Sequence, residues 1–536
     1  MKFTMRKIFK PIISGLAVTL LLSAGSCTKD FEKINTDPNA YTNENFNPNY
    51  LLSTSQLTYT GSTDFAYDTW RANLIYASTM MQGFSTVVSY WAGDKYILNE
   101  AYTTAYWGTS AVGAYSEQVR NIVDLVYNTK GKPEYNNLHQ IARIWKALIF
   151  ARLTDLYGDI PYSEAGLGYH DKIYTPKYDK QQDIYNDLLK EVDEATNALT
   201  ASSENLVGDV IYRGDINKWK KFGNSFILRL AMRLIKVDEN KAKEYANKVI
   251  NKTMTSNDDN AYLKHETSGA RVTQNRNSQV LLGDGGQEHF YTKWSKTFIN
   301  FLKKSNDPRL AKIAVTKLYL SDGNKDQNAS FITDPAKQKG MPNGKDLGAK
   351  PEYNIASDPN FTKMDEYSSA HPEMIKREAP TFILTYAETE LLWAEAAQRW
   401  SIGGSASQHY KNGVKAGLTY LNQYSSTLGI SEAEAEEYIV KNPFNANDAL
   451  NQINSQYWAH TITMLDFYET WSNWRRTGYP ILISIGNYPG NATGGTIPRR
   501  FPYPVMEAAE NPENYKAASN AVTGGDKLTG RVWWDK

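Results

Sequence analysis

The sequence predicts an all-α fold, in which pairs of helices pack against a large irregular, loop-rich side. Three observations lead to this prediction. Apolar residues recur at helical spacing through most of the chain, the connections between these segments are short, and the pattern fails between about 255 and 370, where Gly, Asn, Asp and Pro are frequent. Long irregular segments on a rigid scaffold are common places for binding residues, so we expect a helical body that presents functional loops.

The first 26 residues have the composition of a secretory signal. The basic residues Lys2, Arg6, Lys7 and Lys10 precede the apolar run "IISGLAVTLLLSAG", and no acidic residue is present. This run is too short to span a bilayer. We therefore predict that residues 1–26 are a lipoprotein signal peptide, which is removed from the mature chain.

Cys27 is the only cysteine of the chain, and it directly follows the small residues Ala24, Gly25 and Ser26. This arrangement is typical of a bacterial lipoprotein processing site and predicts lipidation of Cys27. Acyl chains on a terminal cysteine would anchor the protein through about 0.8 kcal/mol per buried methylene group. The alternative is an ordinary cleavage site followed by a free cysteine, which would be an exposed liability in an exported protein.

Residues 27–60 are predicted to be a lipidated tether and extended N-terminal segment, because Asn, Asp, Thr and Pro favour turns and extended backbone. The acidic residues in "KDFE", close behind the cysteine, are typical of lipoproteins sent to the outer face of the cell. We expect the protein to be lipid-anchored in the outer membrane and exposed at the cell surface.

The charge balance excludes a nucleic-acid partner. The chain has 59 basic and 58 acidic residues, and loss of the four basic residues of the leader leaves 55 and 58, a net charge of −3. No block of Lys and Arg lies beyond the leader. A protein that binds a phosphate backbone needs a basic surface, which this composition does not supply.

Residues 61–536 are predicted to form one helical domain with the loop-rich insertion at about 255–370. One strong helix begins near Leu138 and ends at Gly158, and Asp215 is the predicted N-cap of a second helix that continues to about residue 238. Further helices are expected over 67–85, 112–128, 179–199, 240–252, 380–400, 407–424, 431–440 and 446–472. Their short connections suggest stacked pairs that resemble tetratricopeptide repeats, although no fixed sequence period is present.

The stretch "SYWAGDKYILNEAYTTAYW" (89–107) is unusually aromatic for a segment interrupted by Gly93 and polar residues. Two interpretations compete, namely a packing cluster beneath a loop and a platform for a flat, weakly polar ligand. Tyr and Trp combine a rigid ring with a polar group, which suits contact with the C–H face of a sugar. Trp107 and Tyr106 are close to the next helix and are the expected core members.

A second candidate region is "GARVTQNRNSQVLLGDGGQEHFYTKW" (269–294). It places side-chain donors and acceptors in a predicted loop, and such groups are what hydroxyl-rich ligands require. The candidate ligand-binding residues here are Asn275, Arg276, Gln287 and Tyr291. The alternative is that these residues only hold the loop together.

Enzyme signatures are not present in the sequence. It has no HExxH, GxSxG, Walker or dinucleotide-binding motif, so we predict no enzyme, no catalytic residue and no cofactor. Glu388 and Glu390 lie about 200° apart on a predicted helix and should face different directions. The segment around Asp322 has the alternating oxygen ligands of a calcium loop but lacks its glycine and its final acid, so we predict no metal site and leave calcium at Asp322 as an open alternative.

Several segments, taken in order, resemble successive signatures of the SusD/RagB family of outer-membrane lipoproteins, in its SusD-like, starch-binding-associating subgroup. They are "ARIWKALIFARLTDLYGDIPYSEA" (142–165), "GDINKWKKFGNSFILRLAMRL" (214–234), "SKTFINFLKKSNDPRL" (295–310), "FILTYAETELLWAEAAQRW" (382–400), "YETWSNWRRTGYP" (468–480) and "RRFPYPVMEAAENPENY" (499–515). Each is an ordinary amphipathic segment, but six in order behind a lipoprotein signal are specific.

The resemblance implies a surface glycan-binding lipoprotein of a Bacteroidetes-type bacterium, which captures oligosaccharides and delivers them to a SusC-like TonB-dependent transporter. It also implies that ligand rings follow the first long helix, which points to Tyr90, Trp91 and Tyr96. A peptide-capturing RagB-like protein is the main alternative, and a surface glycoside hydrolase is a weaker one. The identity of the glycan and of the transporter lies beyond the resemblance.

Overall fold

The helices of the structure follow the predicted order along most of the chain. The computed structural model describes residues 46–109, 111–202, 204–283, 287–318, 331–348, 350–486 and 488–536. The predicted signal peptide, Cys27 and the segment around Asp322 lie outside these ranges. Within them, residues Asn49–Lys536 form one compact unit. The predicted domain boundaries stay predictions, but the segment 27–60 is not extended throughout, because residues Asn49–Tyr59 form an α-helix.

Helices dominate the described residues. The longer α-helices are α1 (Asn49–Tyr59), α2 (Arg120–Thr129), α3 (Asn136–Tyr157), α4 (Gln181–Ala198), α5 (Ile216–Arg233), α6 (Glu239–Lys248), α7 (Lys296–Lys304), α8 (Tyr386–Trp400), α9 (Ala406–Thr419), α10 (Glu432–Lys441), α11 (Ala449–Met464), α12 (Phe467–Thr477) and α13 (Pro512–Ala521). Short helices cover Glu100–Thr103, Gly168–Asp171, Arg276–Leu281, Gln287–Tyr291, Leu310–Ile313, Pro372–Ile375 and Glu507–Glu510. Two π-helices cover Asp68–Ser78 and Ala114–Val119.

The described strands are two to four residues long and form two-stranded antiparallel pairs. They are β1 (Phe84–Thr86), β2 (Ile160–Pro161), β3 (Tyr178–Asp179), β4 (Ala261–Leu263), β5 (Thr292–Trp294), β6 (Ala314–Val315), β7 (Ser369–Ala370) and β8 (Thr381–Leu384). β1 pairs with β5, β2 with β3, β4 with β8, and β6 with β7. Such short ribbons cannot form a core of their own. The predicted all-α class is therefore confirmed.

Helix pairs that are neighbours in the chain pack against each other. α3 contacts α2 and α4, α4 contacts α5, and α5 contacts α6; in the second half, α8 contacts α9 and α11, and α11 contacts α12. This nearest-neighbour packing is the arrangement expected of stacked helical repeats. No helix of the described residues is long and apolar enough to cross a membrane.

The predicted helix ends at Gly158 and Asp215 are confirmed. Gly158 has φ of 90°, which stops α3 in a conformation that favours glycine. The Asp215 carboxylate accepts a hydrogen bond from the backbone N–H of Lys218 at 3.1 Å, so this side chain caps α5.

Three predicted helices differ from the structure. The expected helix over 446–472 is two helices, because Leu465 adopts φ of 61° and Asp466 then caps α12. The expected helix over 380–400 starts as β8, which pairs with β4, so helix begins only at Tyr386. The expected helix over 67–85 ends at Ser78, and the chain continues into β1.

A buried ionic network joins the helices at the centre of the molecule. Its pairs are Arg229–Glu388 at 2.7 Å, Arg233–Asp155 at 3.2 Å, Arg233–Glu469 at 2.5 Å and Arg152–Asp466 at 3.5 Å. These residues lie on or beside α3, α5, α8 and α12. Buried charges are tolerated only when paired, so the network fixes which helices face each other.

Candidate functional site

Four partly exposed rings, Phe65, Tyr67, Trp70 and Tyr90, form a contiguous cluster that we call the aromatic platform. The Tyr67 and Trp70 rings are stacked with centroids 5.9 Å apart, and Phe65 contacts Trp70 at 5.7 Å. Tyr90 meets Trp70 edge-on at 6.2 Å. Because rings of one cluster remain partly open to solvent, the platform offers an apolar surface to a ligand.

Arginines frame the aromatic platform. The Arg71 guanidinium carbon lies 4.0 Å from the Tyr67 ring centroid, and that of Arg271 lies 5.3 Å from the Phe65 centroid. Guanidinium groups over ring faces hold the rings in place through cation–π attraction. The indole Nε1 of Trp70 is buried and has no hydrogen-bond partner among the described residues. The platform therefore combines flat apolar faces with the guanidinium groups of Arg71 and Arg271.

The platform is held by the start of the π-helix Asp68–Ser78. The Asp68 carboxylate accepts hydrogen bonds from the Ser62 backbone N–H at 2.9 Å and from the Thr69 backbone N–H at 2.6 Å. These bonds fix the turn that carries Phe65 and Tyr67 relative to Trp70. The rings are thus positioned by buried polar contacts and not by the loop alone.

Of the three rings predicted in residues 89–107 to contact ligand, Tyr90 is the one at the surface, with 36% exposure. Its hydroxyl hydrogen-bonds Glu288, and the buried Trp91 donates its indole N–H to the same carboxyl at 2.7 Å. Burial raises the pKa of Glu288, although both hydrogen bonds oppose this shift. Glu288 therefore positions Tyr90 and Trp91 together.

Trp91 and Tyr96 are interior residues, with 0% and 1% exposure. Tyr96 ends a short 3₁₀ turn with φ of 52°, which directs its ring inward. In this structure neither ring offers a face to a ligand, which departs from the expectation that both would touch one. Trp107 and Tyr106, expected in the core, are buried as predicted.

Asn275 and Arg276 are also buried, at 2% and 0% exposure. Asn275 caps the helix Arg276–Leu281 through the Ser278 N–H at 2.9 Å and donates to the Ala379 carbonyl at 2.9 Å. Arg276 donates to the Arg271 carbonyl at 3.0 Å. The described contacts of both side chains are internal to the protein, so they organise the loop and are not presented to solvent.

Tyr291 lies at a surface cavity of about 390 Å³. The cavity is lined by Val87, Val88, Ser89, Tyr291, Asp346, Leu347 and Gly348. Ser89 directly precedes Tyr90 in the chain, so this cavity adjoins the platform. Gln287 starts the helix that ends at Tyr291, but its side chain lies outside the described part of the structure.

The described residues contain no group of three or more His, Cys, Asp or Glu that could hold a metal ion. The predicted divergence of Glu388 and Glu390 is confirmed, because Glu388 bonds Arg229 at 2.7 Å whereas Glu390 bonds His409 at 2.9 Å. Carboxylates engaged in buried ion pairs are poorly placed to act on a substrate.

Comparison with known proteins decides the family. A family model described as "Starch-binding associating with outer membrane" matches residues 45–504. The chain belongs to the SusD-like family. No curated protein matches its sequence.

Solved structures show the same fold as this SusD-like chain. A chitin-binding protein is 34% identical, with a TM-score of 0.78 over 91% of this chain and all of that one. A SusD-like protein from Bacteroidetes is 25% identical, with a TM-score of 0.77 over 92% of this chain and all of that one. A chitin-binding SusD homologue from Flavobacterium johnsoniae is 22% identical, with a TM-score of 0.71 over 91% of this chain and 99% of that one, and it supports the fold alone.

Phe65, Tyr67 and Trp70 of this SusD-like chain are not among the ligand-binding residues predicted from the sequence. They fall in "FAYDTW" (65–70), which overlaps the start of the predicted helix over 67–85. Aromatic residues in a predicted helix are expected to pack in the core. One signal was available: three rings within six residues directly follow the turn-forming "GSTD". A high density of aromatic residues just before a helix therefore points to the surface ring cluster as well as a high density inside a loop does.

Proposed function

We propose that this SusD-like protein binds oligosaccharides at the surface of the outer membrane without cleaving them, and delivers them to a SusC-like TonB-dependent transporter. The observation that carries the proposal is the aromatic platform. Sugar rings present C–H faces that pack on such side chains, and this burial contributes about 25 cal/mol per Å². The guanidinium groups of Arg71 and Arg271 beside the rings supply hydrogen-bond donors for sugar hydroxyls.

Chito-oligosaccharides are the first ligand to test, because a 34% identical relative is named as a chitin-binding protein. The family description names starch, so malto-oligosaccharides are the second. A site that must release its ligand to a transporter should bind weakly. We expect dissociation constants in the micromolar to millimolar range, or about 4 to 8 kcal/mol of binding free energy.

Calorimetric titration of the purified protein tests the site. Replacement of Trp70 or Tyr90 by alanine should weaken oligosaccharide binding by about tenfold or more, because each variant removes one of the contact rings. Tyr50→Ala is the matched control, since Tyr50 is an exposed tyrosine outside the platform. Equal affinities of wild type and both platform variants would reject the platform as the binding surface.

The same titrations separate the competing functions. Binding of oligopeptides and indifference to every glycan would favour a peptide-capturing protein. Chromatography of the oligosaccharide after incubation with the protein should show no shortened product. A shortened product would show that the protein is a hydrolase and would contradict binding without cleavage.

Delivery is tested by affinity purification of the protein from outer membranes. We expect a TonB-dependent barrel to co-purify, and more of it when oligosaccharide is present. Recovery of the protein with no barrel under either condition would contradict the delivery step.

A further inference from the structure

A second cleft, separate in its residues from the aromatic platform, has a volume of about 230 Å³. The side chains that matter for its chemistry are Trp107, Tyr115, Tyr174, Glu507, Glu510 and Asn511. This is far more space than the roughly 15 Å³ that a single water requires. The cleft can therefore receive a small organic ligand.

Aromatic rings form one side of the cleft. The Trp107 ring lies 4.8 Å from Tyr115 and is stacked on Tyr178 at 5.9 Å, measured between centroids. Tyr174 lies at the rim of the cleft and is 75% exposed, so its ring is open to a ligand. Ring faces of this kind carry the negative side of the aromatic quadrupole.

Carboxylates form the other side. Glu507 accepts a hydrogen bond from the Tyr178 hydroxyl at 2.7 Å and is hydrogen-bonded by the Trp107 side chain. Burial raises the pKa of Glu507, and the neighbouring Glu510 carboxylate adds to this shift. No lysine or arginine lines the described part of the cleft. The protein therefore places no cationic side chain in the described lining beside Glu507 and Glu510.

Two glycines whose backbones touch lie beside these groups. Gly108 and Gly113 pack backbone against backbone, since a Cβ atom on Gly113 would lie 2.3 Å from the Gly108 Cα. Their φ values of 106° and 102° favour glycine as well. Trp107 directly precedes the first of these glycines, and Tyr115 follows the second by two residues, so this backbone contact lies beside both rings.

We propose that this cleft binds an organic ammonium group, such as that of an alkylated amine or an amino sugar. A cation among ring faces gains from their quadrupoles, and a carboxylate at the same site supplies its counter-charge. A neutral ligand of equal shape lacks both attractions. The proposal does not depend on the proposed capture of oligosaccharides, because the two sites share no residue.

The test compares choline with its uncharged isostere 3,3-dimethyl-1-butanol in titrations of the purified protein. We expect choline to bind and the isostere to bind at least about tenfold more weakly. Glu507→Gln should weaken choline binding about tenfold or more, and Tyr174→Ala should weaken it several-fold. Glu513→Gln is the control, because Glu513 is an exposed carboxylate of α13 that does not line the cleft.

Thermal melts of each variant confirm that the fold is retained. Tyr174→Ala keeps the test decisive even if Glu507→Gln unfolds, since the exposed Tyr174 ring contributes little to the core. No binding of choline, equal binding of choline and isostere, or choline affinity unchanged in the folded variants would each overturn the proposal.

Discussion

At the scale of single residues, Glu395 and Arg476 form an ion pair that is buried inside the protein. Both side chains are 0% exposed and are joined by hydrogen bonds of 2.9 Å and 2.6 Å. The pKa of Glu395 falls to about 2, because the attraction of Arg476 and Arg399 outweighs the desolvation of the buried carboxyl. The charged form of this pair is therefore a component of the folded state.

Lowering the pH should reduce the free energy of unfolding, because Glu395 becomes protonated. Its folded pKa of about 2 lies below its ordinary value of 4.5, so the stabilisation is present above pH 4.5 and is lost as the pH falls toward 2. The full loss is about 3 kcal/mol, given about 1.36 kcal/mol per pKa unit. Chemical denaturation at a series of pH values measures it.

Glu395→Gln should be less stable than wild type at pH 7 by about 3 kcal/mol or more, since Arg476 then loses its charged partner. The difference between variant and wild type should shrink between pH 4.5 and 2. A constant difference over that range would show that this carboxyl does not carry the pH dependence.

Residue identity alone did not separate the exposed rings from the buried ones. Tyr90 and Trp91 are adjacent in sequence, yet the first is 36% exposed and the second is 0% exposed. In a helix or strand the period would assign each side chain to a face, but residues 89–92 lie in a turn without a period. The orientation is set by Glu288, which is distant in sequence and binds both side chains.

At the scale of elements, α8 ends in a conformation that its own residue disfavours. Ser401 follows the helix with φ of 56° and ψ of 37°, and its N–H bonds the Ala397 carbonyl at 2.9 Å. For a residue with a Cβ atom, this left-handed conformation is about 1 to 2 kcal/mol less favourable than the right-handed one. Glycine is the residue that helices most often place there.

Ser401→Gly should therefore stabilise the protein by about 0.5 to 1 kcal/mol, because the conformational gain exceeds the entropy cost of glycine. The matched control is Gln398→Gly, an exposed position inside α8, which should destabilise by about 0.5 to 1 kcal/mol. Urea unfolding of both variants measures the two effects. A loss of stability in Ser401→Gly would contradict the role assigned to this helix end.

The helices were the most predictable elements, and the reason is physical. The apolar spacing of Ile141, Ile144 and Trp145 is enough to locate α3, although this helix is buried on almost every side. The break at Leu465 was not predictable, because leucine is a good helix former and only tertiary contacts make it adopt a positive φ. The β1–β5 pairing joins segments some two hundred residues apart, which no local pattern reveals.

At the scale of the whole molecule, we predict that attachment to the membrane depends on Cys27. Cys27→Ser should remove lipidation and move the protein from the membrane fraction to the soluble fraction of cells, because acyl chains supply the anchoring free energy. Ser26→Ala is the control and should stay in the membrane, since it keeps a small residue before the cysteine. Metabolic labelling with a radioactive fatty acid and cell fractionation measure both variants. Persistent labelling of Cys27→Ser would contradict the predicted site.

The pairing of Phe84–Thr86 with Thr292–Trp294 has a mechanical consequence for capture. This ribbon ties the segment carrying Glu288 to the one carrying Tyr90, so the rings and the carboxyl that orients them move as one piece. A binding site that is preorganised before the ligand arrives loses little conformational entropy on binding. The association rate should then be limited by the diffusional encounter of sugar and protein. The rate of the proposed uptake would be set by the steps that follow binding.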